Sequence, residues 1–238
     1  MGSAHPNGGM MPMYEGFLEH FGANVRIFGL EYRLSSAAPF PPANSFPASL
    51  INAIAGYRYF IEDVGFEPHQ IILFGDSAGG GIAFNLARYL AVANLSRLRQ
   101  AGGMMLLSPT MDWAGTHDDG KAVKDNARSD FVQPVVNSGY TRRALLGDLP
   151  SEEFAAKSVW ISPGSRVAEW EPGMFAGVPR TVMVAGGAEC TLDLMHAARD
   201  RLLRDLGGGR FEYIEVPDAT HDFLPKKWHE PERSNTFV

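Results

Sequence analysis

Gly75-Asp76-Ser77-Ala78-Gly79-Gly80-Gly81 is the stretch of this chain best suited to chemistry. It fits the pattern G-x-S-x-G and stands between a short apolar run, Ile71-Ile72-Leu73-Phe74, and a segment with helical spacing. A serine on so tight a strand-to-helix turn takes a strained backbone conformation that thrusts its Oγ out over the sheet. Side chains two residues before and two after it are expected to collide, so Gly75 and Gly79 are read as obligatory glycines. The helix that follows aims its N-terminus at the same point. That leaves the Ala78 N–H free to hold an oxyanion, helped by the helix dipole. A Gly-rich loop before a helix can also cradle phosphate. Here there is neither a P-loop lysine nor the glycine spacing of a dinucleotide site.

A serine hydroxyl is a weak nucleophile at neutral pH and needs a base within hydrogen-bond reach. His221 is the candidate, in the loop Pro217-Asp218-Ala219-Thr220-His221-Asp222-Phe223 that follows a strand-like run, Phe211–Val216. An acid must hold that histidine in the right tautomer and stabilise its imidazolium. It is sought after the preceding strand, in Gly186-Gly187-Ala188-Glu189-Cys190-Thr191-Leu192-Asp193. Glu189 comes first after the turn and is preferred. Asp193 is the alternative, with the competing role of an acid at a helix N-terminus. His229, in the charged tail, is read as a surface residue.

The elements that must position these groups follow from periodicity. Strands are expected at Val25–Leu30, Ile71–Phe74, Gly103–Leu107, Thr181–Ala185 and Phe211–Val216, and helices at Ala48–Val64, Gly81–Leu98 and Leu192–Leu206. Proline and alanine fill the loop from Ser35 to Pro47. Short apolar runs alternating with helical patterns predict an α/β fold, a mostly parallel sheet flanked by helices. Thr110 to Val178 interrupts that rhythm with three of the four tryptophans, and it reads as a helical, cap-like insertion over the carboxyl edge of the sheet. Its Trp113, Phe131, Trp160, Trp170 and Phe175 either line an apolar pocket or pack the insertion onto the domain.

Length and composition set limits. At 238 residues the chain suits one domain. Charged residues make up 20% and the net charge is −6, with no basic tract, which argues against nucleic acid or anionic lipid as a partner. Cys190 is the single cysteine, so an intramolecular disulfide and a cysteine-based zinc site are ruled out. The seven histidines are scattered without ligand spacing, and no metal is expected. No apolar run approaches the ~20 residues that span a bilayer. The first residues lack the features of a signal peptide, so a cytoplasmic location is expected if Met1 is the true start.

Taken together, these stretches resemble the hormone-sensitive-lipase-like branch of the α/β-hydrolase family. The resemblance rests on Glu31-Tyr32-Arg33-Leu34, Pro39-Phe40-Pro41-Pro42-Ala43, Gly75-Asp76-Ser77-Ala78-Gly79-Gly80, Leu107-Ser108-Pro109, Gly186-Gly187-Ala188-Glu189 and Thr220-His221-Asp222-Phe223, in the expected order. It implies hydrolysis of small-molecule carboxylic esters through a covalent acyl-enzyme, without a cofactor. Many members carry Asp as the acid, and Glu189 is a common variation.

One motif of that family is missing. His-Gly-Gly-Gly, which donates further N–H groups to the oxyanion, does not occur here. His5-Pro6-Asn7-Gly8-Gly9 is read as an ordinary Gly-rich loop. The strand bearing the motif normally lies between the Val25–Leu30 and Ile71–Phe74 strands. The expectation is therefore a chain with early strands missing, from an incomplete gene model or isoform in which Met1 is internal. Two rival readings follow: a catalytically impaired or non-catalytic binding protein that keeps the fold, and a hydrolase of amides, formamides or lactones.

Overall fold

The computed structural model describes residues 9–22, 24–147 and 149–236. Four strands form one sheet: β1 (Ile72–Asp76), β2 (Gly103–Leu107), β3 (Thr181–Gly186) and β4 (Phe211–Val216). Their spatial order is their chain order, and every pairing is parallel. The register sets Asp76 beside Leu107, Leu107 beside Val184 and Gly186 beside Val216, so the carboxyl ends of all four strands open on one edge.

Side chains alternate across a strand, and β2 shows the result. Met104 and Leu106 enter one buried cluster, Met105 and Leu107 the other. The first cluster is closed by α2 (Ala48–Glu62), α3 (Ala78–Ala93) and α8 (Leu192–Leu206). The second is closed by α1 (Met11–Phe21) and by Ala219, Phe223 and Leu224 after β4. Both faces are covered, as a parallel sheet of Val, Ile, Leu and Met requires. Among the described residues, four short helices lie between β2 and β3, α4 (Lys121–Asn126), α5 (Gln133–Ser138), α6 (Tyr140–Leu146) and α7 (Glu152–Lys157), and α9 (Glu232–Asn235) follows β4.

Two expected elements are corrected. Helix α3 begins at Ala78, directly on the serine turn, and ends at Ala93 because Asn94 takes a left-handed conformation (φ 44°). Val25–Leu30 is not a strand. A strand exists only through a ladder with a neighbour, and this segment stands apart from the sheet, with Phe28 packed on Phe60 of α2 at 4.7 Å. Between it and β1 runs an apolar groove of about 1230 Å³, with Phe28 and Leu30 on one bank and Ile72 and Phe74 on the other. β1 is accordingly an edge strand among the described residues, and its Ile72 is 66% exposed. His5 to Gly8 lie outside the described residues.

Candidate active site

Ser77 stands at the carboxyl end of β1 with φ 50° and ψ −119°, a conformation that costs a non-glycine residue on the order of 1–3 kcal/mol. The fold holds it there through its main chain. The Ser77 N–H donates to the Leu107 carbonyl, and the Ser77 carbonyl accepts from the Thr110 N–H. A Cβ at Gly75 would sit 2.1 Å from the Gly79 carbonyl oxygen, so glycine is obligatory there as expected. Gly79 is a correction. A Cβ there meets only Asp76 Oδ1, at 3.8 Å, because the side of the turn it faces is open. The close packing falls instead on Gly80, against Pro109 at 2.7 Å, and on Gly81, against the Thr110 carbonyl at 2.9 Å.

The carboxyl ends of β3 and β4 bring the other two residues to Ser77. His221 Nε2 lies 2.9 Å from Ser77 Oγ, and His221 Nδ1–H donates to Glu189 Oε2 at 2.8 Å. Glu189 is fully buried, with 0% exposure. A buried carboxylate is tolerable only when its lone pairs are satisfied, and here they are. Oε1 accepts from the Gly186 N–H (2.6 Å) and the Ser108 hydroxyl (2.7 Å), and Oε2 accepts from the Thr191 hydroxyl (3.0 Å) as well as from His221. Asp193 goes elsewhere. Its Oδ2 accepts from the Ala122 N–H at 3.0 Å and caps the start of α4. Ala78, at the first turn of α3, lines the groove beside Ser77, and its N–H has no acceptor among the described residues.

Three further residues take part that the sequence reading left without a role. Ser108, fully buried at the end of β2 with φ 43°, donates to Glu189 and accepts from the Asp222 N–H at 3.0 Å. Asp130, from the segment between α4 and α5, ties the acid loop to the base loop. It accepts from the Cys190 N–H at 2.7 Å and from the His221 N–H at 3.4 Å. Asp222, with φ 50°, holds Oδ2 3.5 Å from His221 Nε2, while its buried Oδ1 has no hydrogen-bond partner. The signal for Asp222 was its place next to His221. For Ser108 and Asp130 no local pattern exists. His229, expected at the surface, is buried with its Nε2 2.6 Å from the Thr220 hydroxyl, because the tail folds back over the His221 loop.

The electrostatics follow from burial among carboxylates. Burial alone would depress the His221 pKa, but Asp222, Glu189 and Asp130 outweigh it and raise it. Burial also pushes up the Asp222 carboxyl, to about 7, against the pull of His221. Asp76, beneath the serine turn, is raised by burial in the same way.

The aromatic residues of the insertion divide. Phe175 is fully buried, edge-on to Phe84 at 5.1 Å, and Trp170 packs beside it. Trp160 lies under the Arg88 guanidinium at 3.9 Å. Trp113 and Phe131 face the groove that contains Ser77. Among the described residues no cluster of His, Cys, Asp or Glu could hold a metal ion, and no helix is long and apolar enough to cross a membrane.

Comparison with known proteins bears on the fold and the family. The chain is 28% identical over 215 residues to the esterase LipU of Mycobacterium tuberculosis, a match covering 84% of this chain and 60% of LipU. It is 28% identical over 215 residues to an acetyl-hydrolase of Streptomyces hygroscopicus, covering 88% of this chain and 60% of that protein. It thus spans about 60% of the length of these curated relatives. A crystal structure of an esterase from the bacterial hormone-sensitive lipase family superposes with a TM-score of 0.64 at 24% identity, over 85% of this chain and 59% of the other. A family model described as alpha/beta hydrolase fold matches residues 17–225, from within α1 to the end of the His221 loop. With a parallel sheet, a strained serine between β1 and α3, and a match over that span, this chain belongs to the alpha/beta hydrolase fold family.

Proposed function

We propose that this site hydrolyses carboxylic esters through a covalent acyl-Ser77 intermediate, with His221 as base and Glu189 as the acid that orients it. The observation that carries the reading is the unbroken relay from Ser77 Oγ to His221 Nε2 (2.9 Å) and from His221 Nδ1 to Glu189 (2.8 Å). Ser77 Oγ attacks the ester carbonyl carbon while its proton passes to Nε2. The carbonyl π pair moves onto oxygen, where the Ala78 N–H and the α3 N-terminus face it. The tetrahedral species collapses, the C–O bond breaks, and Nε2 returns the proton to the leaving alcohol. Water then repeats the cycle on the acyl-enzyme and releases the acid. No step needs a cofactor. The esterase name of one relative supports the ester over other acyl bonds.

A second reading, a fold retained for binding with weak or no turnover, is favoured by the wide groove that opens Ser77 to water beside β1, an edge strand among the described residues. Labelling with a fluorophosphonate and intact mass measurement separates the two. One adduct on the wild type and none on Ser77→Ala is the expected result. A folded wild type that takes no adduct sinks the hydrolase reading.

A further inference from the structure

Beside His221 stands a group of side chains that the relay does not use. The Phe131 ring is edge-on to the His221 ring, with centroids 6.1 Å apart and planes at 64°. Trp228 meets Phe131 almost perpendicularly at 6.3 Å. Both are open to solvent, Phe131 at 46% and Trp228 at 67%. Lys226 Nζ lies over both rings, 5.1 Å from the Phe131 centroid and 5.6 Å from that of Trp228. Among the described residues its ammonium has no ion pair, although Asp76 and Asp222 feel its charge across the site. Phe131 and Lys226 line the same groove as Ser77.

The chemistry of the site gives this rim a direction. His221 Nε2 delivers its proton to the leaving oxygen, so the leaving group must lie on the His221 side of the reacting carbon. The oxyanion lies on the Ala78 side. Phe131 stands against the His221 ring. Two large aromatic rings, exposed side by side at such a place, offer a flat ligand edge-to-face and stacked contacts. A lysine held over both ring faces, without a carboxylate partner, offers an anion a charge-assisted hydrogen bond at the far end.

We infer that Phe131, Trp228 and Lys226 form a leaving-group subsite for an aromatic alcohol that carries a negative charge, so that the favoured substrates are phenolic esters with a carboxylate on the ring. This rests on the reading of Ser77 and His221 as the hydrolytic pair.

Calorimetric binding to the Ser77→Ala chain tests it without turnover, with 4-acetoxybenzoate as the charged probe and phenyl acetate as the neutral one. The charged ester is expected to bind about fivefold more tightly, the size of a partly exposed ion pair. In Ser77→Ala/Lys226→Met the two esters bind alike, and in Ser77→Ala/Lys226→Arg the preference returns. Ser77→Ala/Phe131→Ala loses about tenfold for both. Equal binding of the two esters, binding of neither, or a preference that survives Lys226→Met overturns the subsite. Failure of the hydrolase reading shows itself separately, as a folded wild type that takes no fluorophosphonate, and leaves this comparison of affinities standing.

Discussion

The acid side of the site and the oxyanion side are built differently. At the carboxyl ends of β2, β3 and β4, Glu189 is sealed from water and accepts four hydrogen bonds. Asp130 ties its loop to that of His221. At the end of β1, by contrast, Ala78 lines an open groove, and the nearby Asp222 Oδ1 has no hydrogen-bond partner among the described residues. Orientation of the base is thus set in advance by the close-packed half of the sheet. In the hydrolysis proposed above, preorganised dipoles at the first turn of α3 would hold the oxyanion, and the closed half would orient the base.

The contrast can be broken at several points. The largest effect is expected from Ser77→Ala, which removes the nucleophile and lowers ester hydrolysis by about 10⁴-fold or more while the fold stays intact. Turnover near the wild-type level would move the chemistry to another residue. Next comes the pair Glu189→Gln and Asp193→Asn. The first should cost about 10³- to 10⁴-fold in kcat because the tautomer of His221 is no longer held. The second should leave kcat nearly unchanged, with about 1 kcal/mol of stability lost from the α4 cap. Equal losses of rate would break the assignment of Glu189.

Ser108→Ala sharpens the comparison. It leaves Glu189 Oε1 one donor short and the buried Asp222 N–H without its acceptor. A destabilisation of about 1–3 kcal/mol is expected, read as a fall in the midpoint of urea unfolding. An unchanged midpoint would mean that water replaces the hydroxyl there.

The smallest effect is a displacement in pH. His221 must be neutral to accept the proton of Ser77, and its folded pKa is raised above the ordinary 6.5. The rate should therefore climb with pH through an apparent pKa above that value. Asp222 is the foremost of the carboxylates that raise it. In Asp222→Asn the limb should move to lower pH, by roughly one unit. A kcat/KM profile that stays in place would show that Asp222 does not act on His221.

Much of this was legible in the chain itself. The G-x-S-x-G turn between an apolar run and a helical pattern singled out Ser77 and Gly75, and short apolar runs alternating with helical spacing placed the four strands and the major helices. Glu189 stood out because it comes first after the Gly186-Gly187 turn, and His221 because it follows the last strand. These are local facts, carried by turn geometry and by the spacing of apolar residues.

The rest needed the third dimension. Glu189 rather than Asp193 meets His221 because the parallel register of β3 and β4 sets Gly186 beside Val216 and so brings their two loops together. Ser108 reaches Glu189 across 81 residues, and Asp130 reaches the His221 N–H across 91, contacts that no sequence period encodes. Val25–Leu30 has the composition of a strand but, among the described residues, no neighbour to pair with, and His229 has a polar setting in sequence but is buried by the return of the tail. Local pattern determines which residues can form an element or a turn. Only packing decides which elements become neighbours, and a hydrogen bond between distant residues exists only once they do.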